Sequence, residues 1–303
     1  MPYVSDILQY SIEHSWHHKN APRQQRSHHK RRTISRKAAQ HNRLLPSSKL
    51  YASDGIRQDQ SHLQAGSTFE NAIDLYYFDK ELRTLIFTAI QSAEVGIRAL
   101  MSQTISMAHG AFWYLDPALC FSQRLYADNQ DNIQREVVRS KEDFIKDHFV
   151  KHPGTDLPSW KVIEILSFGT LSKVFSNLAD TPLKKSIARS IGLPQHKILE
   201  SWLQALSGLR NNVAHHSRVW NKVFPSTPTL PKHASGKWIS DTFVDPSRLY
   251  AHLCCVAYLQ NHVHPQNDFA ARLKTLMDKH PNVDLKAMGF PSNWETEPLW
   301  NIK

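Results

Sequence analysis

The sequence predicts an all-α protein. Three observations carry that expectation. Apolar residues recur at three- and four-residue steps from Asp79 to about His109, and again over residues 196–220, as one buried face of a helix requires. Glycine is scarce, at 10 of 303 residues, which argues against a glycine-rich nucleotide fold. No segment alternates apolar and polar residues for long enough to read as a strand.

Residues 1–60 are rich in Arg, His, Gln and Ser and show neither period, so they are expected to be a disordered basic arm. Ser67 or Thr68 is placed to cap a first helix, with Glu70 and Asp74 suiting its dipole. The long helix follows through Leu82, Leu85, Ile86, Ile90, Ile97 and Met101, with Gly110 at its end. Glu94 and Arg98, four apart on it, read as an intrahelical ion pair. Asp116-Pro117 marks a turn or a helix start. Residues 130–150 read as one polar helix, ended by His152-Pro153-Gly154. Pro158-Ser159-Trp160 opens another through Val162, Ile163, Ile165 and Leu166. Residues 167–172 are a turn leading to a short helix, and Ile187–Ile191 form a small helix ending at Gly192. The helix over 196–220 has a stripe of Ile198, Trp202, Leu206, Leu209 and Val213. A proline-rich stretch, 224–231, precedes helices over 246–263 and 265–280 and an irregular aromatic end. No internal repeat is present.

Composition narrows the classes. Three cysteines, two of them the adjacent Cys254 and Cys255, give no disulfide framework, and a reducing cytoplasm is the expected compartment. No secretory signal and no apolar run of membrane-spanning length is present. The net charge of +10 is uneven: residues 1–60 hold 11 Lys/Arg against 4 Asp/Glu, and the remaining 243 hold 26 against 23. Most of what looks like a nucleic-acid-binding charge therefore sits in the arm. No P-loop and no Gly-x-Ser-x-Gly elbow occurs. His252, His262 and His264 lack a Cys or carboxylate at metal-ligand spacing, so no metal or cofactor is expected.

The candidate chemistry lies in Arg210-Asn211-Asn212-Val213-Ala214-His215-His216. Arg-x4-His suits RNA cleavage: an imidazole moves the proton of the 2′-hydroxyl or of the leaving oxygen, and a guanidinium fork stabilises the charged phosphorus centre. The 2′-hydroxyl is the internal nucleophile, so the scheme is metal-independent. The spacing alone is weak. With 17 Arg and 18 His, about one such pair arises by chance, and this chain has four. Arg23/His28, Arg36/His41 and Arg57/His62 lie in or beside the arm, and only Arg210/His215 lies on an amphipathic helix. On one ideal helix residues five apart are about 140° apart, so Arg210 must reach round to meet His215, or a second copy must complete the site. A polar network at a helix end is the competing reading.

Six blocks in order resemble the bacterial Abi-like (abortive infection, AbiD/AbiF-type) family. They are Phe69-Glu70 with residues 75–83, Glu94–Arg98, Gly110–Asp116, Pro158–Trp160 with Glu164 and residues 167–172, Leu209–Asn221, and Met288–Pro291 with Trp294 and Pro298–Trp300. That family resembles the HEPN superfamily of helical ribonucleases, whose Arg-x4-His signature falls here on Arg210 and His215, with Asn211 the polar residue after the Arg. The resemblance implies a HEPN-like helical bundle (core about 79–222) with a C-terminal helical extension over 240–303, and an Abi-like domain over 61–303. It implies RNA cleavage in phage defence or a toxin-antitoxin-like system, a homodimer, and an RNA or protein antitoxin as possible partner. Arg210, His215, Asn211 and His216 are the expected site residues. The alternatives are a non-catalytic RNA-binding or scaffold protein and an inactive product. The last follows from residues 1–60, which lack the family's opening motif. With codons freely chosen for Asn42–Ser48, a one-base shift spells Ile-Gly-Tyr-Phe-Arg-Leu, which resembles that motif, so the segment reads as out of frame.

Overall fold

The computed structural model describes residues 68–301. The readings of residues 1–60 as an arm or an out-of-frame segment, and Ser67 as a cap, lie outside the described residues. Among these there are nine α-helices, five short 3-10 turns and no strand; one isolated β-bridge joins Cys120 to Leu178. The chain divides at Tyr76/Tyr77. On the N-terminal side, residues 68–76 hold the start of helix α1 (Phe69–His109), where Thr68 Oγ1 accepts from the Asn71 amide at 3.2 Å. The first turn and the Asp79–His109 pattern are thus one 41-residue helix rather than two segments.

From Tyr77 onward the chain forms a single unit. In it α1 buries Phe78, Leu82, Ile86, Ile90, Ile97, Met101 and Ile105 completely or nearly so, the face the apolar spacing marks. The helix predicted over 130–150 is instead two, α2 (Gln123–Arg139) and α3 (Asp143–Lys151). Ser140 separates them: its backbone is extended (φ −64°, ψ 133°) and its hydroxyl accepts from the Glu142 amide at 3.3 Å. Such local side-chain bonds compete with helix continuation. Helices α4 (Ser159–Ile165) and α5 (Phe168–Asn177) flank Leu166-Ser167. Ser167 caps α5 through the Thr170 amide at 3.2 Å. The small helix predicted at 187–191 is longer, α6 (Thr181–Ser190), because Asp180 caps it at the Leu183 amide and Pro182 suits its first turn.

Helix α7 (His196–Ala214) packs against α5, α6 and α8 (Leu249–Val263). It stops at Ala214, not near residue 220. Helix α8 is buried nearly throughout, as its apolar run, interrupted by His252, requires. His252 lies fully buried within it, its ring nitrogens 3.0 Å from the carbonyl oxygens of Arg248 and Ser226; burial pulls its pKa down and those carbonyls pull it up. The proline-rich stretch runs past this core and is tied by indoles. Trp202 Nε1 donates to Thr229 O and Trp238 Nε1 to Pro231 O, both at 2.8 Å. Helix α9 (Phe269–Lys279) starts four residues later than predicted, with Asn267 accepting from the Phe269 amide. The C-terminal end is an aromatic cap on α8: Phe290 and Trp300 meet the Tyr250 ring, and Trp300 Nε1 donates to the Tyr250 hydroxyl at 3.1 Å.

Candidate functional site

The site is set by how α7 ends. The Ser217 amide reaches back to Asn212 O at 2.9 Å and the His216 amide to Val213 O at 3.2 Å, the paired bonds of a Schellman motif. His215 is the last residue of the turn, and His216 takes φ 56°, in the left-handed region normally given to glycine. Both imidazoles are exposed. The chain beyond is anchored from a distance. Asp79, buried on α1, accepts from the amides of Val219 (2.9 Å) and Trp220 (2.8 Å), while its other oxygen pairs with Arg83. Lys222 Nζ donates to Asn212 Oδ1 at 2.6 Å and Asn212 Nδ2 to Gly208 O, so Asn212 stabilises the turn from inside.

Arg210 points elsewhere. It lines an open cleft of roughly 670 Å³ formed by α1, the α2–α3 junction, the α4–α5 junction and α7. Its Nε is buried, without a hydrogen-bond partner, and lies 3.9 Å from Glu94 Oε2. Glu94 is 7% exposed and pairs through Oε1 with Arg98. Arg98 also donates to the carbonyls of Ile163 and Leu166 at the end of α4. Arg139 and Lys141 stand on the same cleft, and so do Glu142 and Glu164. Glu136, also on it, accepts from the Ser167 amide and hydroxyl and from the Thr170 hydroxyl, so its charge is spent on the start of α5.

The expected residues are therefore only partly brought together. Asn211, His215 and His216 are exposed at the end of α7, and Arg210 alone joins the cleft. The Glu94–Arg98 pair forms as its spacing predicts, but it is more than an intrahelical pair, since it reaches α4 and α7. Asp79, Arg139 and Lys141 were not singled out from the sequence. Asp79 carried a signal, because it lies in a block of the family resemblance, whereas Arg139 and Lys141 sit at an unforeseen helix break. Among the described residues no group of three or more His, Cys, Asp or Glu is placed to hold a metal ion, and no helix is long and apolar enough to cross a membrane.

A family model described as "Abi-like protein" matches residues 45–221. The matched span holds Asp79, Glu94, Arg98 and the whole Arg210–His216 segment, and ends before α8. It also takes in residues 45–60 of the segment that the sequence sets apart. No curated protein matches the chain, and no solved structure matches it.

Proposed function

Because the chain belongs to the Abi-like protein family, whose membership supports a role in abortive infection and phage defence, we propose that it acts there as a metal-independent RNA endonuclease of the HEPN type. The observation that carries this reading is a guanidinium on a cleft, Arg210, whose Nε lies 3.9 Å from a carboxylate it shares with Arg98, together with an exposed imidazole five residues on, His215. His215 takes the proton of the 2′-hydroxyl as general base. The 2′-oxygen then bonds to phosphorus, the bond to the 5′-oxygen breaks, and a protonated imidazole returns a proton to that leaving oxygen. The products are a 2′,3′-cyclic phosphate and a 5′-hydroxyl. Arg210 stabilises the extra negative charge on the phosphoryl oxygens, and Asn211 and His216 orient the imidazole and strand.

Within one chain Arg210 faces the cleft and His215 does not line it. We place the complete site in a homodimer, where the His215 of one copy serves the cleft of the other. The same separation favours a second reading, an RNA-binding member of the family that does not cut. Purified protein incubated with RNA distinguishes them. Cleavage giving cyclic phosphate ends, unaffected by a chelator, is expected, with His215→Ala slowing it by about 10²–10⁴-fold and Arg210→Ala by about 10²–10³-fold. RNA binding without cleavage supports the second reading and ends the first.

A further inference from the structure

Two guanidinium groups share one carboxylate at the floor of the cleft. Arg98 is fully engaged: it pairs with Glu94 Oε1 and reaches the carbonyls of Ile163 and Leu166, where the end of α4 leaves acceptors without intrahelical partners. The second oxygen, Glu94 Oε2, faces Arg210 Nε at 3.9 Å. The triad carries a net charge of +1, with Glu94 7% exposed and Arg210 Nε buried without a hydrogen-bond partner, while the Arg210 side chain as a whole is 36% exposed. A partly desolvated charge of this kind favours an anion beside it. The open side of the triad is the cleft, which Arg139 and Lys141 line together with Glu136, Glu142 and Glu164, and its roughly 670 Å³ is large enough for a short segment of nucleic-acid backbone.

We propose that Glu94 is the positioning residue for Arg210. Its carboxylate holds the Nε side of the guanidinium, so that both terminal nitrogens face a phosphodiester of an RNA strand lying in the cleft. A fork held on one side presents its other donors at a fixed angle, which is where orientation contributes to rate. The inference rests on the ribonuclease reading of Arg210. It differs from a purely structural role for Glu94 in one respect: removing the carboxylate leaves the cleft more positive, so RNA binding is kept while the chemical step suffers.

The test compares Glu94→Gln, Glu94→Asp, Arg210→Ala and the Glu94→Gln/Arg210→Ala double variant in the full chain. Read out are kcat and KM for RNA cleavage, affinity for an uncleavable 2′-O-methyl RNA, the melting midpoint, and the ¹⁵Nε–Hε NMR signal of Arg210. Glu94→Gln is expected to lower kcat about 10- to 100-fold and to keep affinity within about threefold. It moves the Arg210 Nε signal, and the double variant is no slower than Arg210→Ala alone. If Glu94→Gln does not fold, Glu94→Asp, whose shorter arm withdraws from Arg210, is expected to show the same pattern with a smaller loss. The proposal is overturned if kcat stays within twofold of the unaltered chain, if the loss is as large in the Arg210→Ala background, or if the Arg210 Nε signal is unmoved. Absence of cleavage by the unaltered chain sinks the ribonuclease reading instead, and the NMR signal then still decides whether Glu94 holds Arg210.

Discussion

His216 ends helix α7 in a backbone conformation that side chains avoid. At φ 56° its Cβ crowds the following carbonyl, a cost of about 1–2 kcal/mol for an ordinary L-residue. Glycine removes that cost but loses about 0.4–1 kcal/mol through its freer unfolded chain. His216→Gly is therefore expected to stabilise the protein by roughly 0.5–1 kcal/mol, read as a higher urea midpoint at unchanged slope. If His216 orients His215 or RNA as proposed, the same variant cleaves more slowly although it is more stable, a trade expected of residues kept for function. Unchanged cleavage would confine His216 to the turn. At this scale much was legible: the Arg210–His216 segment stands out from its three decoys by lying on an amphipathic helix. What was not legible were long-range partners. Asp79 bonds to amides 140 and 141 residues away, and Glu94 meets Arg210 across 116 positions, distances over which local spacing carries no information.

The helices themselves were largely readable, because a stripe with a 3.6-residue period needs a core to face, and the core is where the stripes point. Boundaries were readable only where one residue sets them. Gly110 ends α1 and Gly192 follows α6, both with positive φ, as their identity suggests. The break at Ser140 and the stop at Ala214 were missed, because a serine turn and a histidine in the left-handed region do not announce themselves. One glycine inside a helix has an element-scale role. A Cβ built on Gly96 of α1 collides with both γ-carbons of Val263 of α8, and Gln260 of α8 donates to Ala89 O of α1 one side of that approach. Alanine there gains about 1 kcal/mol of helix propensity. It forces apart a packed pair of helices, at about 1–3 kcal/mol, because the β-branched Val263 has little freedom to turn aside. Gly96→Ala is expected to destabilise by about 1 kcal/mol net, and combination with Val263→Ala to be less harmful than the two single effects added, by more than about 0.5 kcal/mol. Denaturant unfolding of the four proteins measures this. Strict additivity would mean that the close approach of α1 and α8 does not constrain either helix.

For the whole molecule, the family match and the packed core end at different places. The match stops at residue 221, yet the centre of α7 faces residues beyond it. Trp202, fully buried, stacks on Trp238 at 5.5 Å and meets the Tyr258 ring edge-on, and the Tyr258 hydroxyl in turn shares its one proton between the carbonyl oxygens of Gly192 and Ser235, 2.8 Å from each. Helix α8 is buried nearly throughout, which leaves it no face suited to water. The blocks of the family resemblance meet one another in the same way: Ser159 of one donates its amide to Ala111 O of another at 2.7 Å, and the Leu209–Asn221 block is held by Asp79. A chain cut after Asn221 keeps Arg210, His215, Glu94 and Asp79 but strips Trp202 of its aromatic neighbours. Losing large core partners costs about 3–5 kcal/mol for a single tryptophan site, against a net stability of about 5–15 kcal/mol for a whole domain. Removal of all of α8 and the aromatic cap exceeds that margin. Residues 1–221 expressed alone are therefore expected to lack a cooperative thermal transition and near-ultraviolet circular dichroism, and to bind a hydrophobic dye, while the full chain melts sharply. A sharp melt of the shortened chain, with RNA cleavage retained, would instead make the C-terminal helices an addition to a core that stands without them.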